Sequence, residues 1–500
     1  MMSKRISLTL AFALFSICAI SQSEGFNQRF DALNNEVGDG LFSVLQTNYG
    51  FICFGGTRSL IETNNNRLWL YGIDHEGELM WEKTYFPDSV FTQAGWSNSA
   101  DYTSDGSYVT PVNERRPSNS RVLHIMKFDQ NGDSIWTCSY PCSSGSYYLA
   151  TSARETSDGG VVSVGATDDH SASPNYRPFA MKCDADGNLL WFKQYYSPTS
   201  TIIASVVATD DGGGIMGGTQ YVNGYTSKRF FLLRFDADGN ELWRTLYNGE
   251  PSPSPAWLTR WGNRFYFGAV LETENSSLFR PYIQRFSPNT GELIWENESE
   301  PCASCPALFV FAVETDANGN IIGGGPVNSW DSGAPFENGH LIKWNDEGER
   351  LWLRKYHFAE QTDCIFRDLR VTDDGGIVAA GHAGNNDEYP SYDGWVIKTD
   401  EHGCIVPGCH VGVLENDATA AFKLYPNPAH DIVNLYLETD QSRPRGTITI
   451  HDLQGREVKN FAAPQGETTY IVDVSMLPSG MYVVSYNDGE VLVTERLIVE

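Results

Sequence analysis

The chain is poor in basic residues. Its 500 residues include 35 lysines and arginines against 63 aspartates and glutamates, which gives a formal net charge of −28. A surface this acidic repels the phosphate backbone of nucleic acids and anionic lipid headgroups. We therefore expect neither nucleic acid nor a membrane surface among its partners, and the charge suits a soluble protein that works outside the cell.

Long apolar runs are also missing, except at the N-terminus. Lys4 and Arg5 precede an apolar run from Ile6 to Ile20, and the residues around Ser21 fit a small-x-small cleavage site. The run is too short to span a bilayer, so residues 1–21 are predicted to be a secretory signal peptide. No other segment approaches the roughly 20 apolar residues that a membrane-spanning helix requires.

Recognisable catalytic and cofactor motifs are absent from the sequence. It has no G-x-S-x-G elbow, no P-loop, no H-E-x-x-H and no cluster of histidines. Gly212–Gly217 formally matches a dinucleotide fingerprint, but it opens a strand, whereas phosphate binding there needs a helix N-terminus. The DADGN loops at Asp184–Asn188 and Asp236–Asn240 lack the twelfth-position Glu of a calcium loop. We therefore predict no catalytic residue, no cofactor and no metal site.

One hairpin, in contrast, recurs along most of the chain: a glycine turn followed by an apolar strand that carries Trp. Six copies end in Trp81, Trp136, Trp191, Trp243, Trp295 and Trp352, spaced 55, 55, 52, 52 and 57 residues apart. A seventh copy, Lys398–Pro407, ends in Pro. A second hairpin with an Asp-Gly or Asn-Gly turn, such as Thr156–Gly165, precedes most copies. Each unit of about 50 residues therefore holds four antiparallel strands, as propeller blades do.

Seven copies predict an all-β fold. Residues 26–411 are expected to form a monomeric seven-bladed β-propeller of four-stranded blades, with the Trp side chains packed between neighbouring sheets. An open β-solenoid is the alternative. Residues 412–421 have the composition of a linker, and residues 422–500 are expected to form a separate small β-sandwich.

The two kinds of connection are expected on opposite faces of the propeller. The short Asp-Gly turns share one face, and long, dissimilar loops share the other, where binding normally takes place. The aromatic residues of the long loops are the candidate ligand-binding residues: Tyr176, Tyr221, Tyr225, Trp330, Phe336, Tyr389 and Tyr392. The alternative is that each ring only packs its own loop against the body of the protein.

Three pairs of cysteines lie close together in the sequence. In an exported protein they are candidate disulfides: Cys138 with Cys142, Cys302 with Cys305 and Cys404 with Cys409. We interpret Cys53 and Cys183 as small core residues, because their sister repeats carry apolar side chains there.

The Trp hairpin resembles the repeat of the quinoprotein-type propellers, most closely at Gly291–Trp295. Quinone-dependent enzymes of that family commonly mark their cofactor site with adjacent cysteines, and this sequence has no such pair. The resemblance therefore implies the architecture of the blades and not the chemistry.

Residues 422–500 resemble the type IX secretion system C-terminal sorting domain, type A. Its three blocks are LYPNPAHDIVNL (Leu424–Leu435), ITIHDLQGREV (Ile448–Val458) and VDVSMLPSGMYVVSY (Val472–Tyr486). The positions that carry the motif are Tyr425, Pro426, Asn427, Pro428, Asp452, Gly455, Leu477, Gly480 and Tyr482. The resemblance implies that the type IX secretion machinery is a partner, and that the protein is exported to the outer-membrane surface or released.

These features predict a secreted or surface-displayed propeller that binds a glycan, a peptide or a host-surface component through its long-loop face. Two alternatives stay open: a propeller hydrolase or lyase, and a structural component of the cell surface. The enzymatic alternative requires Asp or Glu side chains that converge in one pocket of the central channel with shifted pKa values.

Overall fold

In the computed structural model every element is a β-strand. The described residues are 25–31, 38–58, 66–87, 89–118, 120–143, 147–168, 175–222, 227–247, 256–272, 279–298, 307–329, 336–359, 362–384, 391–406, 409, 421–438, 446–452, 456–463, 469–487 and 492–499. Within these ranges we find no helix long and apolar enough to cross a membrane.

The strands follow the predicted repeat. The chain starts with β1 (Phe26–Phe30), and the first unit contains β2 (Asp39–Gln46), β3 (Gly50–Arg58), β4 (Asn66–Asp74) and β5 (Leu79–Tyr85). The next contains β6 (Phe91–Ala94), β7 (Asp101–Tyr102), β8 (Tyr108–Arg115), β9 (Arg121–Phe128) and β10 (Ser134–Pro141). Two regular units follow. The first contains β11 (Tyr148–Glu155), β12 (Val161–Thr167), β13 (Arg177–Cys183) and β14 (Leu189–Gln194). The second contains β15 (Thr201–Ala208), β16 (Gly214–Val222), β17 (Ser227–Phe235) and β18 (Glu241–Leu246).

The repeat continues with β19 (Trp257–Trp261), β20 (Arg264–Glu272), β21 (Phe279–Phe286) and β22 (Leu293–Glu298). After it come β23 (Ala307–Leu308), β24 (Ala312–Thr315), β25 (Ile321–Ser329), β26 (Phe336–Trp344) and β27 (Arg350–Tyr356), then β28 (Asp363–Val371), β29 (Ile377–Gly384) and β30 (Asp393–Thr399). Nearly all neighbouring strands pair antiparallel in chain order, so the fold is all-β, with mostly four-stranded antiparallel sheets in a propeller-like arrangement.

The turns form as predicted. At Thr156–Gly160 the Thr156 N–H donates to the Gly160 carbonyl over 2.8 Å, and the Asp158 carboxylate accepts from the Gly160 N–H at 3.1 Å. Gly159 has a φ of 79°, a left-handed backbone conformation that residues other than glycine adopt only at a cost in free energy. The sequence therefore repeats Asp-Gly because the backbone of each hairpin requires it.

The tryptophans pack between neighbouring sheets, which confirms that prediction. Trp191 of β14 lies against Gly239 in the turn of the next unit, where a Cβ atom would meet the indole at 2.9 Å. The Trp191 Nε1–H also donates to the Ala237 carbonyl over 3.0 Å. The same contact joins Trp81 to Gly132, Trp136 to Gly187, Trp243 to Gly291, Trp295 to Gly348 and Trp352 to Gly403.

The last sheet is completed by the N-terminal strand, which the sequence did not predict. β1 pairs with β30 along the register from Phe26↔Lys398 to Phe30↔Gly394. Phe26 then lies against Gly77 of the first unit, where the other units use Trp. The seventh hairpin copy does not supply its own outer strand, because Cys404 and Cys409 are bonded with their Cα atoms 5.5 Å apart. An extended strand would separate these atoms by about 16 Å.

Of the three predicted disulfides, Cys404–Cys409 is confirmed, and Cys302 and Cys305 lie outside the described residues. The pairing of Cys138 with Cys142 is wrong, as is the interpretation of Cys183 as a simple core residue: Cys138 bonds to Cys183. Cys138 lies in β10, and four extended residues place Cys142 about 13 Å away, beyond disulfide reach. The bond instead connects β10 to β13 in the neighbouring sheet.

The C-terminal segment forms two further antiparallel sheets. The first contains β31 (Ala421–Tyr425), β32 (Ile432–Glu438) and β35 (Thr469–Asp473), and the second contains β33 (Gly446–Asp452), β34 (Glu457–Ala463), β36 (Gly480–Asn487) and β37 (Leu492–Val499). Val433 and Leu435 of the first sheet belong to the same buried cluster as Ile450 and Val484 of the second. The two sheets therefore share one hydrophobic core.

The contact between Trp and glycine predicts a difference between two glycine variants. Gly239→Ala adds a Cβ that meets the Trp191 ring, whereas Gly262→Ala adds one with nothing within 4 Å, and both glycines have positive φ (74° and 56°). We expect Gly262→Ala to cost about 1 kcal/mol through backbone strain alone. Gly239→Ala should cost about 2–4 kcal/mol because steric crowding is added. Calorimetric melting of both variants checks this, and equal melting temperatures would contradict the interlocking contact.

A buried histidine predicts part of the acid sensitivity. His340 is fully buried opposite Gly325, and the equivalent residues opposite Gly218 and Gly165 are Phe231 and Phe179. Burial lowers the pKa of His340 to about 4, against the smaller opposite effect of the Gly325 and Pro326 carbonyls. This group does not reduce the free energy of unfolding above about pH 6.5, the pKa of histidine in the unfolded chain. As the pH falls to 4, the free energy of unfolding decreases by up to about 3 kcal/mol, because the unfolded chain takes up the proton first.

The matched variant is His340→Phe, which copies the sister units. Between pH 7 and pH 4.5 we expect the melting temperature of the wild type to fall more than that of the variant, because other titrating groups are common to both. If the melting temperatures of the two proteins fall by the same amount between pH 7 and pH 4.5, His340 is not held neutral in the folded protein.

Candidate functional site

The innermost strands of successive sheets are joined by hydrogen bonds from side chains. The Ser43 hydroxyl accepts from the Ser99 N–H at 2.8 Å, and the Ser205 hydroxyl accepts from the Leu258 N–H at 2.9 Å. The Asp368 carboxylate accepts from the Val44 N–H at 3.0 Å and so links the last inner strand to the first. Ser43, Ser205 and Asp368 each follow an irregularity in strand pairing. These side chains therefore connect the inner strands around a common centre.

Asn98 lies at this centre and is almost fully buried, with a φ of 50°. Two arginines from different sheets converge on it. Arg154 donates to the Asn98 carbonyl at 3.2 Å and to its side-chain oxygen. Arg370 donates to the same side-chain oxygen at 3.2 Å and to the Ala100 carbonyl at 2.8 Å. Asn98 is therefore the shared acceptor that fixes both guanidinium groups.

Each arginine faces one carboxylate that borders a cavity. The Arg154 Nε lies 3.6 Å from an Asp101 oxygen, and the Arg370 Nε lies 3.9 Å from a Glu314 oxygen. A closer partner of Arg370 is Asp368, whose oxygen lies 2.7 Å from Nη1 and which is fully buried. The arrangement around Arg154 thus resembles the one around Arg370, with Asp368 added on one side.

The cavity has a volume of about 220 Å³ and an uneven lining. The charged lining residues are Asp101, Arg154, Glu155, Arg260, Glu314 and Arg370. The apolar lining residues, Val207, Ala208, Leu258 and Val313, come from β15, β19 and β24. Glu155 directly precedes the Thr156 turn and Arg370 lies two residues before the Thr372 turn of another unit, so the cavity is at the short-turn end of the inner strands. The long loops lie at the other end.

The protonation behaviour of the cavity follows from burial. Burial raises the pKa of Glu314, although Arg370 and the Thr315 N–H oppose the shift. Burial also outweighs the Arg370 charge and raises the pKa of Asp368, while it lowers the pKa of Arg154. Burial alone would also lower the pKa of Arg370. The negative charges of Asp368, Glu314 and Asp101 outweigh it, however, and raise the pKa of Arg370.

Sequence reasoning missed these residues, although a signal was present. Asp101, Arg154, Glu314 and Arg370 each stand two residues before the first residue of a short turn, a position that holds Leu45 and Val207 in other units. Asp368 likewise stands where other inner strands carry serine, as at Ser43, Ser99, Ser152 and Ser205. An alignment of the inner strands shows charges that break the repeat, and such departures mark residues with a role beyond the fold.

Three of the predicted loop-face aromatics can be placed. Tyr176, just before β13, and Tyr221, in β16, both bond where β15 begins: the Thr201 N–H donates to the Tyr176 carbonyl at 2.7 Å, and the Tyr221 N–H donates to the Ser200 carbonyl at 2.9 Å. Lys228 covers the Tyr221 ring at 5.3 Å. Tyr392 lies in another sheet, and its hydroxyl donates to Asp363 at 2.8 Å. Tyr225, Trp330, Tyr389 and the side chain of Phe336 lie outside the described residues.

Three carboxylates gather near the N-terminal strand, which the sequence did not predict. Oxygen atoms of Asp31, Asp39 and Asp393 lie within 4.8 Å of one another. Arg29 forms an ion pair with Asp393. Burial raises the pKa of Asp393 to about 6, and the Arg29 charge opposes this shift. A guanidinium group therefore already supplies positive charge at this cluster.

The residues of the C-terminal motif have structural roles. Asn427 joins the N-terminal part of the segment to β37, because its amide donates to the Arg496 carbonyl at 2.6 Å and accepts from the Ile498 N–H at 2.8 Å. The Asp452 carboxylate accepts from the Arg456 N–H at 2.9 Å, and the Tyr482 hydroxyl donates to the Pro478 carbonyl at 2.7 Å. Leu477 packs on the shared core, Gly480 pairs with Val499 in β37, and Tyr425 is exposed. Pro426 and Pro428 flank Asn427, and Gly455 lies outside the described residues.

Several solved structures are similar to this chain at low identity. A protein of unknown function from Bacteroides caccae is 13% identical, with a TM-score of 0.37, over 66% of this chain and 98% of its own. The alpha-L-arabinanase of Penicillium chrysogenum, solved with arabinobiose, is 12% identical with a TM-score of 0.37, over 61% and 92%. A protein of unknown function from Dyadobacter fermentans is 10% identical with a TM-score of 0.41, over 75% and 98%. No curated protein matches the chain.

Residues 423–500 match the family described as the secretion system C-terminal sorting domain. The match covers the C-terminal segment with its two sheets. This sorting domain indicates a type IX-secreted protein, which interacts with that secretion machinery and is exported to the cell surface or the extracellular space.

Proposed function

We propose that this type IX-secreted protein is a seven-bladed β-propeller that binds a ligand in the central cavity at the short-turn end of its channel. The observation that carries the proposal is the set of charged residues that replaces the repeated inner-strand pattern around this cavity. The repeat itself needs no such charges, since other units carry Leu45 and Val207 at the same position. Residues that depart from a structural repeat and line a cavity are the default candidates for binding.

The count of seven blades is supported by the sheets. The nine-stranded sheet divides at a single parallel bridge, Phe279↔Ala307, into two units of the usual kind. Together with the other antiparallel sheets of the repeat region this makes seven units, and Phe26 on Gly77 joins the last to the first. The blades are proposed to be of the quinoprotein type, over residues 26–411. Residues 412–421 are then a linker, and the shared core of residues 422–500 supports a β-sandwich.

The location of the working protein follows from the sorting domain and the proposed signal peptide over residues 1–21. We infer a monomeric propeller that is carried out of the cell and acts at its surface or in the medium. Glycans, peptides and host-surface components are the ligand classes found there. A purely structural surface component is the alternative, and it gives no reason for charges that break the repeat inside the cavity.

Binding explains the cavity better than catalysis does. Its lining contains no Ser, Cys or His, and of the carboxylates that could serve as nucleophile or base there, Asp101 and Glu314 each face an arginine. Hydrolysis remains the second candidate function because one requirement for it is met: Glu314 borders the cavity and burial raises its pKa. A turnover assay on candidate glycosides and peptides that responds to Glu314→Gln would favour the enzyme.

The loop face is a second candidate surface for a polymeric ligand. Tyr176, Tyr221 and Tyr392 are partly exposed there, and flat aromatic faces suit sugar rings and peptide side chains. All three side chains already have partners within the protein: Tyr147 packs against Tyr176, Lys228 lies on Tyr221, and Asp363 accepts from Tyr392. We therefore rank the central cavity first.

Filling the cavity tests the proposed function. Ala208 lines the cavity, and Ala208→Phe should occupy it; Ala317→Phe places the same side chain at an exposed turn that does not line it. In a thermal-shift screen of small molecules, glycans and peptides, we expect ligands of the wild type to lose binding at least about tenfold in Ala208→Phe, because the added ring excludes them. Ala317→Phe should bind them normally.

The screen also tests where on the protein the ligand binds. Ligands that bind Ala208→Phe and wild type equally, and that are lost in Tyr221→Ala, would place binding on the loop face. Melting temperatures of the variants without ligand report whether each one folds.

A further inference from the structure

We propose that Ser139, His124 and Glu114 form a second site, a serine-nucleophile centre that hydrolyses carboxylic esters. The three residues lie on neighbouring strands of the second unit, in β10, β9 and β8 respectively. They are at the long-loop end of these outer strands, where variable loops commonly carry function. The site is separate from the central cavity, and the inference goes beyond the binding function proposed there.

His124 connects the other two side chains. Its Nδ1 lies 2.8 Å from the Ser139 hydroxyl oxygen, and its Nε2 lies 2.7 Å from a Glu114 carboxylate oxygen. A carboxylate only accepts hydrogen bonds, so Nε2 carries the ring proton and Nδ1 accepts from the Ser139 hydroxyl. This is the arrangement of a catalytic triad, in which a hydroxyl is the nucleophile, an imidazole takes its proton and a carboxylate orients the imidazole.

The nucleophile is open to a substrate, whereas the two groups behind it are shielded from water. Ser139 is exposed, and His124 and Glu114 are buried. The ring of Phe86, which follows β5 of the preceding unit, covers the imidazole with the ring centroids 5.5 Å apart. Burial lowers the pKa of His124, although Glu114 opposes the shift. The imidazole is therefore neutral at pH 7, as a general base must be.

The pairing of the strands explains this geometry. Ser139 is opposite His124 in the register, and three residues further along the Cys142 N–H donates to the Arg121 carbonyl. Hydrogen-bonded and non-hydrogen-bonded pairs alternate between antiparallel strands, so Ser139 and His124 form a non-hydrogen-bonded pair, in which side chains are closest. The Ser139 N–H then points away from β9. Because β10 is the outermost strand of its sheet, this N–H can donate to an oxyanion formed at Ser139.

The repeat of the fold does not require these residues. The next unit is paired in the same way and carries Phe179, Gln194 and Thr167 at the positions of His124, Ser139 and Glu114. An aromatic side chain therefore fills the His124 position well enough for folding. Side chains that depart together from a repeat and bond to one another indicate a role beyond the fold.

The reaction consumes only the ester and water. As the Ser139 Oγ bonds to the ester carbonyl carbon, its proton passes to His124 Nδ1 and an electron pair of the carbonyl moves to its oxygen. The bond from this carbon to the alcohol oxygen then breaks, and the alcohol leaves with the proton from Nδ1. Water repeats both steps on the acyl-serine, which releases the carboxylic acid and restores the hydroxyl. Esters suit the site better than amides, because an alkoxide is a better leaving group than an amide anion.

Reaction of the full chain with an alkyl fluorophosphonate tests the nucleophile. The Ser139 Oγ bonds to phosphorus, fluoride leaves, and peptide mass spectrometry identifies the labelled residue. At pH 7.5 we expect label on Ser139, and labelling at least about 100-fold slower in His124→Phe, which lacks the base. This variant copies Phe179 of the next unit and should fold. Ser134→Ala, which removes another exposed hydroxyl of β10, should be labelled at the wild-type rate.

Hydrolysis of p-nitrophenyl acetate tests turnover and the positioning role of Glu114. Ser139→Ala should lower kcat/KM at least about 100-fold, and Glu114→Gln at least about tenfold. Among the described residues, the charges that act on His124 are those of Glu114, which raises its pKa, and Arg116, which lowers it. Loss of the carboxylate should therefore move the acid limb of the pH profile of kcat/KM to lower pH. A purely structural role of Glu114 would leave that limb in place.

Three results would overturn the inference. They are a wild-type chain that reacts with neither probe, label on residues other than Ser139, and equal labelling of Ser139 in the wild type and in folded His124→Phe. Melting temperatures report whether each variant folds, and the comparison of wild type with Ser139→Ala changes only an exposed side chain. The binding function of the cavity does not depend on these results, because Ala208→Phe tests it at a different site.

Discussion

The structure depends on one contact, in which an aromatic ring of one unit, Trp in most units and Phe26 in the last sheet, lies on the glycine turn of the next. A four-stranded sheet of this kind has two faces to cover and cannot bury both by itself. The repeated Trp supplies apolar area to the neighbouring unit, and the glycine leaves room for it, as Trp191 and Gly239 illustrate. The Nε1–H of Trp191 bonds to the Ala237 carbonyl, so the ring is positioned as well as buried. Contact between units therefore covers faces that a single unit leaves exposed.

A chain of such contacts has free ends unless it closes on itself. Closure is made by β1, which completes the last sheet and places Phe26 on Gly77 of the first unit. The inner strands close the ring as well, because the Asp368 carboxylate of β28 accepts a hydrogen bond from the Val44 N–H of β2. Closure brings side chains from distant parts of the sequence together at the centre. The cavity between Asp101, Glu314 and the two arginines exists only because the units meet there.

Much of the fold was predictable because its determinants are local. Asp-Gly turns need positive φ, strands between them are short and rich in Val, Ile and Tyr, and Trp recurs at a fixed distance from the glycine. The motif of the sorting domain was also readable, because Pro428 and Gly480 stand at fixed places in its blocks. The closing strand was not predictable, since Phe26–Phe30 carries no Trp hairpin and its partner is more than 360 residues away. Cys138 was paired wrongly because a strand keeps near neighbours in sequence far apart, and Cys183 lies in the next sheet.

The candidate site was the least predictable part. Arg154 or Glu314 alone in a strand looks like an ordinary exposed charge, and only the ring places them around one cavity. The sequence directed attention to the long loops because variable loops usually bind, but a cavity lined by charged residues, of which Arg154 and Arg370 are buried, lies at the opposite end of the inner strands. Charged groups are costly to bury and are retained where they pair or bind. The function proposed for the protein therefore rests on closure of the ring as much as the fold does.

Hydrogen–deuterium exchange of the N-terminal strand tests closure most directly. If β1 completes the last sheet as its edge strand, the alternate amides of Phe26–Phe30 that bond to β30 are protected and exchange far more slowly than those of an unstructured chain. Exchange of this segment at the rate of an unstructured chain, with β29 and β30 still protected, would show that the ring is not closed by its first strand.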